Sequence, residues 1–252
     1  MTGKRVLVTG AGQGVGRGMA RVFADAAADV LVNDLSFDRA STVVDEIVAE
    51  GGHARPLVFD VTDFDDVNAA VAEAGVIDVL VNNAGNAGSA QFTVGRGFIE
   101  TSPTDWAPFF AVNLFGVMHC TRAVLGSMAE RGWGRIITMI SDAGRTGDRN
   151  SAAYAAAKAG AAGFMRSVAA EGGRHGVTAN CIALGTMHTP LTEDLWADAN
   201  SAMARKVLRD YVIRRPGTAD DVSYLALLLA TEYGGWITGQ TIPVNGGHSF
   251  AL

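Results

Sequence analysis

Arg5–Gly18 reads RVLVTGAGQGVGRG. Its opening is a continuous apolar run, as expected of a parallel strand buried on both faces. Gly10, Gly12, Gly14, Gly16 and Gly18 then alternate, and an amphipathic pattern runs on to about Ala28. Strand, glycine turn and helix in that order make a phosphate-binding crossover. The glycines permit a tight turn and close approach of backbone to a pyrophosphate, and the helix N-terminus faces the anion. The spacing is not a clean G-x-G-x-x-G, because from Gly12 the third position falls on Arg17. What fits is T-G-x-x-x-G-x-G, from Thr9 to Gly16. No Gly-Lys-Ser/Thr follows, which argues against a Walker-type loop. Gly10, Gln13, Gly14, Val15 and Gly16 are therefore expected to meet a dinucleotide.

The pattern repeats along the chain. A second strand is expected over Asp29–Asn33, a helix over Asp38–Glu50 and a strand over Arg55–Phe59. Helix Asp63–Glu73 and strand Asp78–Val81 follow. A long helix runs from about Pro103 to Arg131, then strand Arg135–Ile140, a helix from Ser151 to about Arg174 and strand Val177–Ala183. Helix Ala219–Ala230 and strand Thr241–Val244 close the chain, while residues 186–215 lack clean periodicity. Alternating strands and helices predict an α/β fold: a doubly wound parallel sheet of about seven strands, helices on both faces, right-handed crossovers. No linker, repeat or low-complexity tract interrupts it. One domain over residues 1–252 is expected, with 186–215 as a substrate-binding lobe.

Composition bounds the function. Of 252 residues 48% are hydrophobic and 18% charged, and the formal net charge is −6. That composition excludes a disordered chain, and no basic run or aromatic platform suggests nucleic acid. The two cysteines, Cys120 and Cys181, lie in apolar runs, with no disulfide framework and no metal spacing. MTGKRVLVTG enters a strand directly, without the pattern of a signal peptide, and no apolar run of bilayer-spanning length stands out. A cytoplasmic protein with no membrane partner is expected.

Two further stretches carry chemistry. Asp34 ends the second strand, where an acid binds both ribose hydroxyls of an adenosine and repels a 2′-phosphate. Gln13, Asn33 and Leu35 offer no cation for such a phosphate, so NAD is expected over NADP. Ser151–Gly160 reads SAAYAAAKAG, a helix start that Ser151 is placed to cap. Tyr154 and Lys158 lie four apart on one face. A phenol has a pKa of roughly 10, and a nearby lysine cation draws it toward neutrality. By itself the same pair also fits a solvated helix surface. The small alanines around it leave room for a flat group.

Taken together these stretches resemble the short-chain dehydrogenase/reductase family over the whole chain. The matching residues are Thr9–Gly16 (TGAGQGVG), Asp60–Val61, Asn82–Gly85 (NNAG), Asn113, Ser141 and Tyr154–Lys158 (YAAAK). The resemblance implies a Rossmann-like sheet and a nicotinamide cofactor. It implies that Asp60, with Val61, contacts adenine, that Asn83, Ala84 and Gly85 pack beside the cofactor, and that Ile182 and Thr189 hold the carboxamide. It implies Asn113, Ser141, Tyr154 and Lys158 as the catalytic residues. Tyr154 would exchange a proton with an alcohol or carbonyl, Lys158 would lower its pKa and hold the ribose, Ser141 would bond the substrate oxygen, and Asn113 would hold a water. Leu184 stands where the family has proline, which leaves the placing of the following lobe open.

A small-molecule pocket is expected from 142–149, 184–195 and the loop 86–98, with Asp142, Arg145, Met187 and His188 as substrate candidates. Ser141–Gly147 (SDAGRTG) resembles the family members that act on hydroxyacyl or oxoacyl thioesters, and Arg131 and Arg174 are candidates for a CoA phosphate. A simple secondary alcohol, sugar or steroid is the alternative. A catalytically silent NAD-binding regulator is the alternative of another class, against which the intact Ser141, Tyr154 and Lys158 argue. The family resemblance also implies a homotetramer, with a dimer as the main rival, and Trp236, Phe250 and Leu252 are candidates to bury at a neighbour.

Overall fold

The computed structural model describes residues 1–86, 97–198 and 200–250. β1 (Arg5–Val8) leads through the glycine turn into α1 (Gly14–Asp25). Next come β2 (Asp29–Val32), α2 (Phe37–Ala49), β3 (His53–Pro56), α3 (Phe64–Ala74) and β4 (Val79–Asn82). α4 (Pro103–Phe110) runs through a π-helical turn, Ala111–Phe115, into α5 (Gly116–Arg131). β5 (Gly134–Ser141), the short α6 (Ala143–Thr146), α7 (Ala152–Gly172) and β6 (Val177–Leu184) follow. The lobe beyond β6 holds α8 (Glu193–Trp196) and α9 (Ala202–Leu208), before α10 (Ala219–Ala230) and β7 (Thr241–Val244).

The strands form one seven-stranded sheet, all parallel, in the order β3-β2-β1-β4-β5-β6-β7. The order reverses between β1 and β4, so a crevice opens there at the carboxyl ends of the strands. Alternation within each strand makes two cores. Leu7, Leu31, Leu80 and Ile136 meet α3, α5 and α7 on one face. Val6, Val8, Val30 and Val79 meet α1, α2 and α10 on the other. Both faces are apolar, and so β1, β2 and β4 read as uninterrupted hydrophobic runs.

The expected elements differ from the observed ones in informative places. β3 covers His53–Pro56 rather than Arg55–Phe59. It is an edge strand paired only to β2, while Leu57 and Phe59 are buried just beyond it. Ser151 stands before α7 without a side-chain cap; its hydroxyl bonds Asp148 O instead. The helix Pro103–Arg131 spans 29 residues and is apolar enough, by length and composition alone, to be a bilayer-crossing candidate. Its Val117, Cys120, Val124 and Met128 are spent in the core against the sheet. Leu184, at the family's proline position, completes β6, registered against Ser141 and Val244.

Candidate active site

The glycine turn is held from three sides. Asn33 accepts from Gly10 N and donates to Leu57 O and Phe59 O, tying the turn to β2 and to the segment after β3. Asn83 donates to Thr9 O and Gly10 O, and Thr9 Oγ1 accepts from Asn83 N and Ala84 N. Side-chain amides thus do the work of ladder bonds where the strands end. Gly10 has φ +61, and a Cβ there would come 2.9 Å from Ala84 Cα. A Cβ on Gly16 would come 2.5 Å from Gly10 O. These two positions require glycine.

This turn fits a dinucleotide. The N-cap of α1, Gln13, makes no side-chain cap bond, and the first turn holds no acid. Orphan N–H groups and the positive end of the helix dipole therefore remain for an anion. A cleft of about 510 Å³ opens alongside, lined by Gly12, Gln13, Gly14, Val43, Thr189 and Pro190 among others. Thr189 lies against Gly14, 3.4 Å from where a Cβ would sit.

Asp34 is buried at the end of β2. Its carboxylate accepts from Gly12 N at 3.2 Å and Ser36 N at 2.9 Å. It also accepts from Arg39, Nε at 3.1 Å and Nη2 at 2.5 Å. The expectation that no cation stands here is therefore corrected. Arg39 is the third residue of α2, and the helix turn carries its guanidinium back over the strand end.

Asn113, Ser141, Tyr154 and Lys158 converge beside the β4 exit. Ser141 is the last residue of β5 and hydrogen-bonds Tyr154. Asn113 is fully buried in the π-helical turn; its amide donates to Phe109 O and its carbonyl accepts from Asn86 N. A Cβ on Gly85 would lie 3.2 Å from Asn113 Oδ1 and 3.4 Å from Lys158 Nζ, so Gly85 sits between the two polar groups. Lys158 Nζ donates to Met139 O at 2.9 Å and stands 5.9 Å from the Tyr154 ring centre. α6 locks the arrangement: a Cβ on Gly144 would meet Ala159 N at 2.9 Å and Lys158 Cβ at 3.0 Å.

The electrostatics correct one expectation. Burial pushes the Tyr154 phenol up, Ser141 opposes this, and Asp148 adds to the rise. Lys158, one turn away, is itself desolvated, its pKa lowered to about 8. Burial likewise pushes the Cys120 and Cys181 thiols up to about 12, which leaves both inert.

The chain matches the short chain dehydrogenase family over residues 4–200. It belongs to that family. The enzyme is 34% identical over 251 residues to 7alpha-hydroxysteroid dehydrogenase of Escherichia coli (strain K12), covering 98% of this chain and 94% of the relative. It is 35% identical over 249 residues to a subunit of a hydroxy(phenyl)methyl-succinyl-CoA dehydrogenase of Thauera aromatica, covering 96% and 95%. Among solved structures it superposes on a 3-oxoacyl-(acyl-carrier protein) reductase with bound NAD from Brucella melitensis, with TM-score 0.88 and 32% identity over 98% of this chain and 91% of that one. It also superposes on a gluconate 5-dehydrogenase from Burkholderia cenocepacia in complex with NADP and tartrate, with TM-score 0.90 and 34% identity over 100% and 97%. This short-chain dehydrogenase is thus an oxidoreductase of a family that uses NAD(P).

The other expected positions have the following surroundings. Asp142 is enclosed by protein. Its side chain is 4% exposed, bonded to Arg145 at 2.8 Å, Asn245 at 2.5 Å and Ser249 at 3.0 Å. Arg145 is drawn to the same carboxylate, so the pair anchors the segment after β7. Ile182 is fully buried in mid-strand, registered between Met139 and Ile242, and offers nothing to a carboxamide. Met187, two residues from Thr189, stands at the strand exit, buried against Gly217. His188 pairs with Glu193 at 2.9 Å and lines the cleft by the glycine turn. Asp60 bonds the backbone and hydroxyl of Thr62, and Val61 O bonds the His119 ring. Arg131 bonds Ile77 O and pairs with Asp78 ahead of β4, at the sheet edge opposite Tyr154; Arg174 lies at that same edge, ahead of β6. Neither reaches a ligand beside Tyr154. Most of the expected pocket rim, residues 87–96, and Leu252 lie outside the described residues. The reading missed Asn33, Arg39 and Asn86, each of which works through a partner distant in sequence or through helix geometry.

Proposed function

We propose that this short-chain dehydrogenase interconverts a secondary alcohol and a ketone, with NAD preferred to NADP and Tyr154 as general acid and base. The observation that carries the reading is the Tyr154–Ser141 hydrogen bond beside the buried Lys158. Two hydroxyls that share a bond at a strand exit are disposed to share a substrate oxygen. Bound nicotinamide supplies hydride transfer and, when oxidised, a positive charge. Tyr154 Oη takes the proton of the alcohol or returns it to the ketone, a role worth about 10²–10⁴ in rate. Ser141 Oγ bonds the same oxygen and steadies its charge. Lys158 would hold the ribose of the bound cofactor and, close to its own titration, relays the proton away from Tyr154. Asn113, sharing Gly85 with Lys158, holds a water on that path.

For substrate, a hydroxyacyl or oxoacyl thioester is favoured by the Ser141–Gly147 sequence and by the thioester relatives. Arg149, exposed and three residues ahead of α7, is a cation at the same edge as Tyr154, where a thioester's phosphates would reach. A plain secondary alcohol, steroid or sugar is the second reading, favoured by the steroid and gluconate relatives. A homotetramer accords with exposed apolar residues on two surfaces, Phe115 and Met118 on one and Tyr224, Leu228 and Trp236 on the other.

The test is absorbance of reduced nicotinamide with a panel of hydroxyacyl-CoAs, cyclic hydroxyacyl-CoAs, steroids and plain alcohols, beside Tyr154→Phe. Turnover on a thioester, reduced at least about a hundredfold in the variant, supports the whole reading. Turnover on alcohols alone removes the thioester. Full activity in Tyr154→Phe removes the mechanism.

A further inference from the structure

Asp34 and Arg39 form an ion pair at the rim where an adenosine ribose would lie, and the two partners differ in access. The Asp34 side chain is 7% exposed and that of Arg39 48%. Asp34 Oδ1 is engaged by Arg39 and Ser36 N, while among the described residues Oδ2 receives only Gly12 N. Asp34 in turn takes Nε and Nη2 of Arg39, whose side chain is about half exposed. The glycine turn closes under both, since a Cβ on Gly12 would come 2.5 Å from Asp34 Oδ2 and 2.7 Å from Arg39 Cβ. The neighbouring Arg17 is not equivalent. Its Nε and Nη2 are both taken by Glu46, at 2.8 and 2.9 Å.

We propose that Arg39 is a cofactor-specificity residue, so that one carboxylate–guanidinium pair receives either nicotinamide dinucleotide. Oδ2, with a lone pair to spare, accepts a ribose hydroxyl. The exposed edge of the guanidinium donates to a 2′-phosphate, for which its planar fork of donors is suited. An unpaired Asp34 would present a full negative charge to that phosphate; the paired one presents none on balance. Arg39 thereby narrows the preference for NAD that Asp34 sets. This rests on the reading of Asp34 as the ribose acceptor.

Titration of the whole protein with NADH and NADPH, followed by nicotinamide fluorescence, tests it without any substrate. Wild type is expected to bind both, NADH more tightly. Arg39→Gln is expected to weaken NADPH by about tenfold or more and NADH less than about threefold, and Arg39→Lys to restore part of the NADPH affinity. Asp34→Asn is expected to invert the preference, because the cation then stands unpaired. Equal weakening of both dinucleotides in Arg39→Gln, no weakening of either, or no NADPH binding by wild type each overturns the proposal. If wild type binds NADPH more tightly while Arg39→Gln still loses it selectively, Asp34's preference for NAD fails and the role of Arg39 stands.

Discussion

Two aspartate–arginine pairs flank the carboxyl edge of the sheet, and they are built for different ends. Asp34–Arg39 follows β2 and Asp142–Arg145 follows β5. Both carboxylates are buried, 7% and 4% exposed, but the arginines are 48% and 12% exposed. Arg39 lies across one local turn, and backbone N–H groups and solvent satisfy much of what it leaves. Asp142 is instead a hub. It gathers Arg145 from the adjoining turn and Asn245 and Ser249 from a segment more than a hundred residues away. The same two residue types thus make an adjustable contact for a ligand at one end and a fastener for the chain at the other. Access of the cation, rather than distance between charges, separates the two.

Removing each carboxylate should expose that difference most sharply. Asp142→Ala removes the buried carboxylate to which Arg145, Asn245 and Ser249 all donate, so it should cost about 3–5 kcal/mol in urea unfolding. Asp34→Ala should cost about 1 kcal/mol, since Arg39 relaxes into water. Comparable losses in the two variants would make the contrast between fastener and contact untenable.

A buried charge with no carboxylate partner among the described residues provides the next comparison. Lys158 is 5% exposed and relies on a carbonyl, Met139 O, for its proton. Its pKa falls from 10.5 to about 8. The folded chain therefore holds that proton less tightly than the unfolded chain does. The group lowers stability fully below about pH 8, and stability recovers as pH rises from about 8 to 10.5. Lys158→Met should consequently stabilise the protein by about 1–3 kcal/mol at pH 7 while removing turnover, and the gain should shrink toward pH 10. A stability loss at pH 7 would show that the carbonyl bond outweighs desolvation.

These contrasts also mark how far the sequence could be read. β1, β2 and α10 were legible because continuous apolar runs and a helical period need no distant partner. The glycine turn and the place of Asp34 just past β2 were legible for the same reason: strand, turn and helix lie within one crossover. Arg39 was within reach, since a helix starting at Phe37 must swing its third residue back over the strand end. So was the misplacing of Arg131 and Arg174, because a helix that returns a chain to a parallel sheet ends at the edge where the next strand begins. β3 slipped because buried Leu57 and Phe59 outweigh the polar residues that an edge strand tolerates. The π-helical turn at Asn113 depends on a side chain bonding the carbonyl four residues back. The Asp142 hub depends on chain separated by a hundred residues, and no local pattern encodes either.

Salt gives the finest separation. The Arg39 guanidinium sits half in water, where at 1 M salt the screening length is about 3 Å, whereas Asp142 and its partners lie behind protein. The cost of Arg39→Gln in urea unfolding should be about 0.5 kcal/mol at low salt and close to nothing at 1 M sodium chloride. The cost of Asp142→Ala should stay the same at both, because ions do not reach a carboxylate enclosed by Asn245, Ser249 and Arg145. If the Asp142→Ala cost fades with salt as well, the segment after β7 must open readily enough to let ions in. The two pairs would then differ in degree only, and the terminal segment would have to be counted among the parts of the molecule that move.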